Sequence, residues 1–320
     1  MRRWIAALPA ALLLVALAAA AQPYPNRPVK LIVPDGPGSA PDIRARQLSA
    51  KLQEVLGQPV VIDNRPGGSM IIGAEAAAKS PPDGYTLFMG NSTTHALNPA
   101  LFKSLPYRDE DFIPITLVSA GPLLLVVNPT LPVNDVKGLV ALAKSRNAPL
   151  SYGVIGHGSS AQLVMAQLEA QAGVAFQPVA YKGTGQYVQD LVGGHLDVGF
   201  NFWSVVGGHV KGGKLRALAV ASARRLDVAP DVPTFAEAGF PGVEASAWQG
   251  IFVPAGTPRE IVARLEADVP RAVRAPEVSG PIVEQGAEAG GNPRSEFAAF
   301  VRAEKVRWKK AAIEARIEPQ

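Results

Sequence analysis

Ser39 and Asp42 stand three residues apart ahead of an apolar helical stretch, and Ser159 and Gln162 repeat that spacing much later in the chain. A serine followed three positions on by an acid or amide is the sequence form of a capping box, in which the two side chains take up backbone N–H groups left free at a helix start. The same end of a helix carries a positive partial charge and unpaired donors, so it also receives small anions. Capping and anion binding are compatible, because a capped start still leaves N–H groups free. Both serines follow glycine-bearing loops, Asp35-Gly36-Pro37-Gly38 and Gly156-His157-Gly158. A third polar loop, Gly90-Asn91-Ser92-Thr93-Thr94, has hydroxyls that either bond their own turn or face a ligand. In a fourth, Gly183 and Thr184 stand at a helix start, Lys182 reads as a solvated charge, and Tyr181 either lines the site or packs beneath it. The candidate contacts for an anion in these loops are Gly38, Ser39, Asp42, Ser92, Thr93, Thr94, Gly158, Ser159, Ser160, Gln162, Tyr181, Gly183 and Thr184.

Other chemistry lacks its residues. The chain has no cysteine, which removes thiol nucleophiles, thiolate metal sites and disulfides. His95, His157, His195 and His209 show neither His-x-x-x-His nor His-Glu-x-x-His spacing, and no Gly-x-Ser-x-Gly elbow occurs. No catalytic residue, metal ligand or cofactor is assigned. The nearest enzyme-like signal is Gly156-x-Gly158-x-x-Ala161, a GxGxxA match to the dinucleotide fingerprint. The acidic residue that should meet a ribose about twenty positions on is missing, and Phe176-Gln177-Pro178 stands there instead. A secreted α/β enzyme, either a hydrolase or dinucleotide-dependent, is the alternative from another class, and a screen on common esters and amides separates it from a binding protein.

The elements that must position these loops follow from periodicity. Arg2 and Arg3 precede an apolar run to Ala20, and Ala19-Ala20-Ala21 before Gln22 has the small-x-small form of a cleavage site, so residues 1–21 read as a signal peptide. With 48% hydrophobic and 18% charged residues, the remaining chain can bury ordinary cores, and its size suits two lobes. A net charge of +4 without basic runs interleaved with aromatics argues against nucleic acid. Short β-branched runs at 29–33, 60–62, 87–89, 123–127, 151–155, 196–200, 215–220 and 248–253 alternate with amphipathic helical stretches. That alternation predicts an α/β fold of two lobes, each a mixed sheet flanked by helices. Ligands of open α/β sheets bind beyond the carboxyl ends of strands, where all four loops fall. The helices at 259–273 and 295–313 are expected to pack back on the first lobe, and the cluster Phe200, Phe202 and Trp203 is assigned to packing.

The chain resembles the exported solute receptors of tripartite tricarboxylate transporters, the Bordetella uptake gene family. The resemblance covers nearly all of the mature chain and is carried by Tyr24-Pro25-Asn26-Arg27-Pro28, Val33-Pro34 with Pro37-Gly38 and Asp42, Gly57-Gln58-Pro59-Val60-Val61 with Asn64-Arg65-Pro66-Gly67, and Pro82-Asp83-Gly84-Tyr85-Thr86-Leu87. Later matches include Tyr181-Lys182-Gly183, Gly213-Lys214-Leu215-Arg216-Ala217-Leu218-Ala219 and Pro254-Ala255-Gly256-Thr257-Pro258. It implies a periplasmic receptor of the type II-like binding-protein fold with a crossover hinge. Such a receptor captures a small organic carboxylate between its lobes and delivers it to a membrane permease without chemistry. On this basis the first lobe is expected to hold residues 22–120 and 249–320, the second 121–248, and the protein to be a monomer. Asp35 stands where the family usually has Phe, Ser39 where it has a second glycine, Gln162 where it often has His, and Asn201 where Asp often follows the strand; Asn201 joins the candidate contacts. Asp35 is expected to turn away toward Arg44, Arg46 or solvent.

Overall fold

The computed structural model describes residues 24–314, 317 and 319, so the expected signal peptide lies outside the described residues. The described chain opens with β1 (Val29–Val33), α1 (Ala40–Leu56), β2 (Val60–Asn64), α2 (Ile71–Ala78) and β3 (Thr86–Asn91). A π-helical turn (Thr93–Leu97) runs into α3 (Asn98–Leu101), and a short 3-10 turn leads to β4 (Phe112–Pro122). The middle supplies β5 (Leu124–Val127), α4 (Val136–Ser145), β6 (Ser151–Val154), α5 (Ser160–Ala172), β7 (Gln177–Ala180), α6 (Thr184–Gly193), β8 (Val198–Asn201), α7 (Trp203–Lys211) and β9 (Arg216–Val220). The return adds β10 (Ser246–Pro254), α8 (Arg259–Arg274), α9 (Pro276–Glu284), β11 (Glu288–Ala289) and α10 (Arg294–Glu314).

These strands form two mixed sheets, ordered β11-β4-β10-β3-β1-β2 and β7-β6-β8-β5-β9. Both have helices on each face, which is why their strands read as apolar runs rather than alternating ones. In β1, Val29, Leu31 and Val33 enter the core beneath α1, α8 and α9, while Ile32 points to the opposite core with Phe88, Trp248 and Phe297. In β5, Leu125 and Val127 share one core and Leu124 and Val126 the other. Alternate residues of a strand face opposite sides, so each of these short strands serves two cores.

β4 has no counterpart among the sequence expectations, because Pro114 and Pro122 argue against a strand interior. Pro114 pairs with Phe252, next to one of two register shifts between β4 and β10, where the ladder is already irregular. A second unforeseen strand, β7, carries Pro178 and lies at a sheet edge, the other place where proline is tolerated.

The chain passes between sheets twice, at Pro122–Leu123 and at Ala245–Ser246, and the two passages lie side by side with Ser246 paired to Pro122. Leu123 N–H donates to Ala245, Ala245 N–H to Ala221, and Ala221 N–H to Leu123, which ties both passages to the end of β9. α8 and α10 both pack on first-lobe elements as expected. α8 packs on α1 and β4, and α10 on the π-helical turn, α3 and β4, where Trp308 and Ala312 join Leu97 and Leu101 in a cluster continuous with the second lobe's core. Trp308 donates to Glu304 one turn earlier, so the ring's polar edge is satisfied and its apolar face is free to reach across.

Candidate ligand-binding site

Between the carboxyl edges of the two sheets lies a cavity of about 70 Å³, room for roughly five waters or a small organic molecule. All four loops reach its wall: Ala40 and Pro41 from the first, Ser92 and Thr93 from the second, Ser159, Ser160 and Ala161 from the third, Thr184 from the fourth. Asn201 lines it from the end of β8, next to Phe200 and Phe202. Phe200 therefore serves core and cavity together, while Trp203 packs in the core against Val206 and Leu215.

The other candidates hold the loops rather than forming the wall. Ser39 caps α1 by accepting from Asp42 N–H at 3.3 Å, and Asp42 accepts from Gly38 N–H and Arg46 Nε at 2.9 Å and from Asn64 Nδ2 at 3.0 Å. Burial pushes the Asp42 carboxyl up, but these donors and the Arg46 charge outweigh it and leave it below the ordinary carboxylate range. Gln162 accepts from Gly158 N–H at 2.7 Å. Thr94 bonds back to Asn91 and to His95, and Tyr181 donates to Asp190 at 2.8 Å. Gly183 is the N-cap of α6, and its missing side chain lets Asp35 approach.

Asp35 does not turn away. It is 1% exposed, lines the cavity, and reaches across the cleft from β1 to α6. Its carboxylate accepts from Thr184 Oγ1 at 2.7 Å, from Thr184 N–H at 3.1 Å and from Gly36 N–H at 2.6 Å. Arg44 is engaged with Gln47 and Gln285, and Arg46 with Asp42, so neither is available to it. The start of α6 offers a hydroxyl and an N–H together with the positive end of the helix, which explains the orientation. Burial pushes the Asp35 carboxyl above the ordinary range, against the pull of the Thr184 and Gly36 hydrogen bonds.

Ser159 is the counterpart on the second lobe. It is the N-cap of α5 but bonds no backbone N–H there, and its Oγ is buried without a partner at the cavity wall. A buried hydroxyl without a partner costs about 1 to 3 kcal/mol, so a ligand that meets it recovers that cost. The glycines beside it explain the fingerprint-like Gly156-x-Gly158. Both have positive φ, +78° and +72°, and a side chain at Gly156 would strike Ser69 while one at Gly158 would strike Leu101. They allow the first lobe to approach closely.

Sequence alone left out Met70, Asn91, Tyr187 and Gln249, which also line the cavity. Met70 stands there because Ser69 and Met70 both adopt left-handed backbone, a conformation with no signal in residue type at that position. Tyr187 donates to the Phe200 carbonyl and accepts from Asn201 Nδ2, and Gln249 accepts from Ser119, so the inward polar groups are held by neighbours. Among the described residues no Lys, Arg or His side chain lines the cavity.

Residues 44–317 match the family model described as the tripartite tricarboxylate transporter family receptor. Protein BugT of Bordetella pertussis is 36% identical over 92% of this chain and 91% of its own length. The periplasmic binding protein BugD has the same fold, with TM-score 0.88 and 30% identity over 93% of this chain and all of that one. A Rhodopseudomonas palustris protein solved with adipate aligns with TM-score 0.89 and 36% identity, again over 93% of this chain and all of that one. These relatives are binding proteins rather than enzymes. A chain matched along most of its length, with two helix-flanked sheets closing on a pocket at their carboxyl edges, belongs to the tripartite tricarboxylate transporter receptor family.

Proposed function

We propose that this chain is exported to the periplasm after cleavage near residue 21, closes as a monomer around a small organic carboxylate, and delivers it to the permease of a tripartite tricarboxylate-type transporter. The observation that carries the carboxylate is the unpartnered Ser159 Oγ at the open N-terminus of α5, facing a cavity with no cationic side chain among the described residues. Helix starts and hydroxyls hold an anion without a full positive charge. The adipate-bound relative supports an acid as ligand. Ser92, Thr93, Ser159, Ser160 and Asn201 are the contacts we assign to it, and Thr184 holds Asp35 at the wall. Gly38, Ser39, Asp42, Thr94, Gly158, Gln162, Tyr181 and Gly183 shape the loops that present them. Residues 22–120 with 249–320, and residues 121–248, are the two bodies that move.

Native mass spectrometry of protein purified without acid washing, followed by calorimetry with the acid identified, tests this reading. A carried organic acid that rebinds after removal supports it. A neutral sugar or a metal ion in its place, with no acid competing, would overturn it.

A further inference from the structure

We propose that Asp35 is a built-in anion standing in for one carboxylate of the ligand, so that this receptor selects small monocarboxylates with uncharged bodies over dicarboxylates. The inference rests on the carboxylate reading above and narrows it. Three helix starts that reach the cavity differ in what already fills them. At α1 the N–H groups of Gly38 and Asp42 are taken by Asp42 and Ser39 side chains, and Pro41 has none to offer. At α6 the Thr184 N–H and hydroxyl both go to Asp35. At α5 Gln162 takes the Gly158 N–H as Asp42 takes that of Gly38, but the cap hydroxyl bonds no N–H, and Ser159 Oγ waits unpartnered at the wall with 6% of the residue exposed. One anion position is occupied by the protein itself and one is open.

The rest of the wall offers a second negative group hydroxyls, at Ser92, Thr93 and Ser160, but no cation among the described residues. Met70, Ile155, Phe200 and Phe202 are apolar, Tyr187 and Asn201 are bonded to each other, and Asp35 is the only charged side chain among the described lining residues. A second ligand carboxylate would share a cavity a few ångströms across with the Asp35 carboxylate. At an effective dielectric of about 20 and a separation of about 6 Å, that repulsion lowers affinity roughly a hundredfold. An uncharged alkyl or aryl body instead meets apolar wall.

Calorimetry at neutral pH with butyrate, benzoate, succinate, adipate and γ-aminobutyrate, on the wild-type protein and on Asp35→Asn, tests the assignment. The wild type is expected to bind its better monocarboxylate at least about tenfold more tightly than succinate or adipate, and Asp35→Asn to shrink that ratio at least about tenfold. Asp35→Ala replaces Asn should the amide variant not fold, and Ser159→Ala is expected to weaken every bound acid while leaving the ratio unchanged. Diacids that match or exceed monoacids in the wild type overturn this inference and leave the carboxylate reading standing. A preference for γ-aminobutyrate that Asp35→Asn abolishes also overturns it, by making Asp35 an ammonium anchor. Binding of none of these probes overturns both.

Discussion

Asp42 and Ser159 belong to the two matching Ser-x-x-Asp and Ser-x-x-Gln starts and have opposite consequences. Asp42 fills its helix start, collecting three donors while 2% exposed. Asp42→Asn sets an NH₂ group against one of those donors and removes the charge that faces Arg46, so a loss of about 1 to 3 kcal/mol in stability is expected, with the half-exposed Arg46 pair a minor part of it. The sign with pH follows from the lowered carboxyl. The stabilisation is whole above the unfolded-state value of about 3.8 and is lost as pH falls through the lower folded-state value. Urea titrations of both proteins between pH 7 and pH 2 should therefore converge at the acid end, and parallel curves would show that Asp42 stays uncoupled. The Ser-x-x-Asp and Ser-x-x-Gln spacings were legible in the sequence, but their occupancy was not. At the first start Asn64 arrives from β2 and Arg46 from one turn along α1 to hold Asp42, and Ser39 bonds Asp42 N–H, whereas at the second the cap hydroxyl of Ser159 finds no partner. Asp35 was legible only as an oddity, because its partner Thr184 is distant in sequence and meets it only when two lobes meet.

At the level of elements, regular strands with helices behind them announced themselves, whereas strands broken by proline did not. β1, β5 and β8 are buried on both faces and read as apolar runs. β4 is as long as any strand described, yet Pro114 and a register shift hide it. The loop before α5 shows a similar limit, since Gly156 and Gly158 match a nucleotide fingerprint in type but answer to Ser69 and Leu101 in space. Gly158→Ala adds a methyl where Leu101 already stands and holds an alanine at φ +72°, which costs about 1 to 3 kcal/mol in the closed form. The variant is expected to bind its acid about tenfold or more weakly, with the melting temperature of the unliganded protein changing less than that of the liganded one. Unchanged affinity in calorimetry would mean that the loop closes without the first lobe.

For the molecule as a whole, the sequence indicated two helix-flanked sheets, and the family resemblance a crossover hinge between them, but not the hydrogen bonds that tie the two crossings together. Two strand passages and a hydrogen-bonded triangle at Leu123, Ala221 and Ala245 join the sheets, while α10 lies on first-lobe elements with Trp308 and Ala312 in a cluster continuous with the second lobe's core. The buried residues of α10, Phe297, Val301, Glu304, Trp308 and Ala312, recur at helical spacing and mark one face, but that spacing does not say that Phe297 and Val301 would meet one core and Trp308 and Ala312 another. A ligand that touches both lobes favours the closed form only by its differential affinity for it. Small-angle scattering is expected to show a smaller radius of gyration when the cognate acid is added, and an unchanged profile at saturation would point to a site formed on one lobe.

The hydrogen bonds from Thr184 to Asp35 span the cleft using protein atoms alone, so they favour closure whether or not cargo is inside. Under the proposed function, a transporter that recognises the closed shape would receive two kinds of visitor, loaded and empty, and every 1.4 kcal/mol that the clasp contributes would raise the proportion of empty ones about tenfold. The same carboxylate proposed to sharpen the choice of acid would thereby set the background against which delivery is heard. Selectivity and signal-to-noise become two readouts of one side chain, and a receptor tuned for one must be retuned for the other.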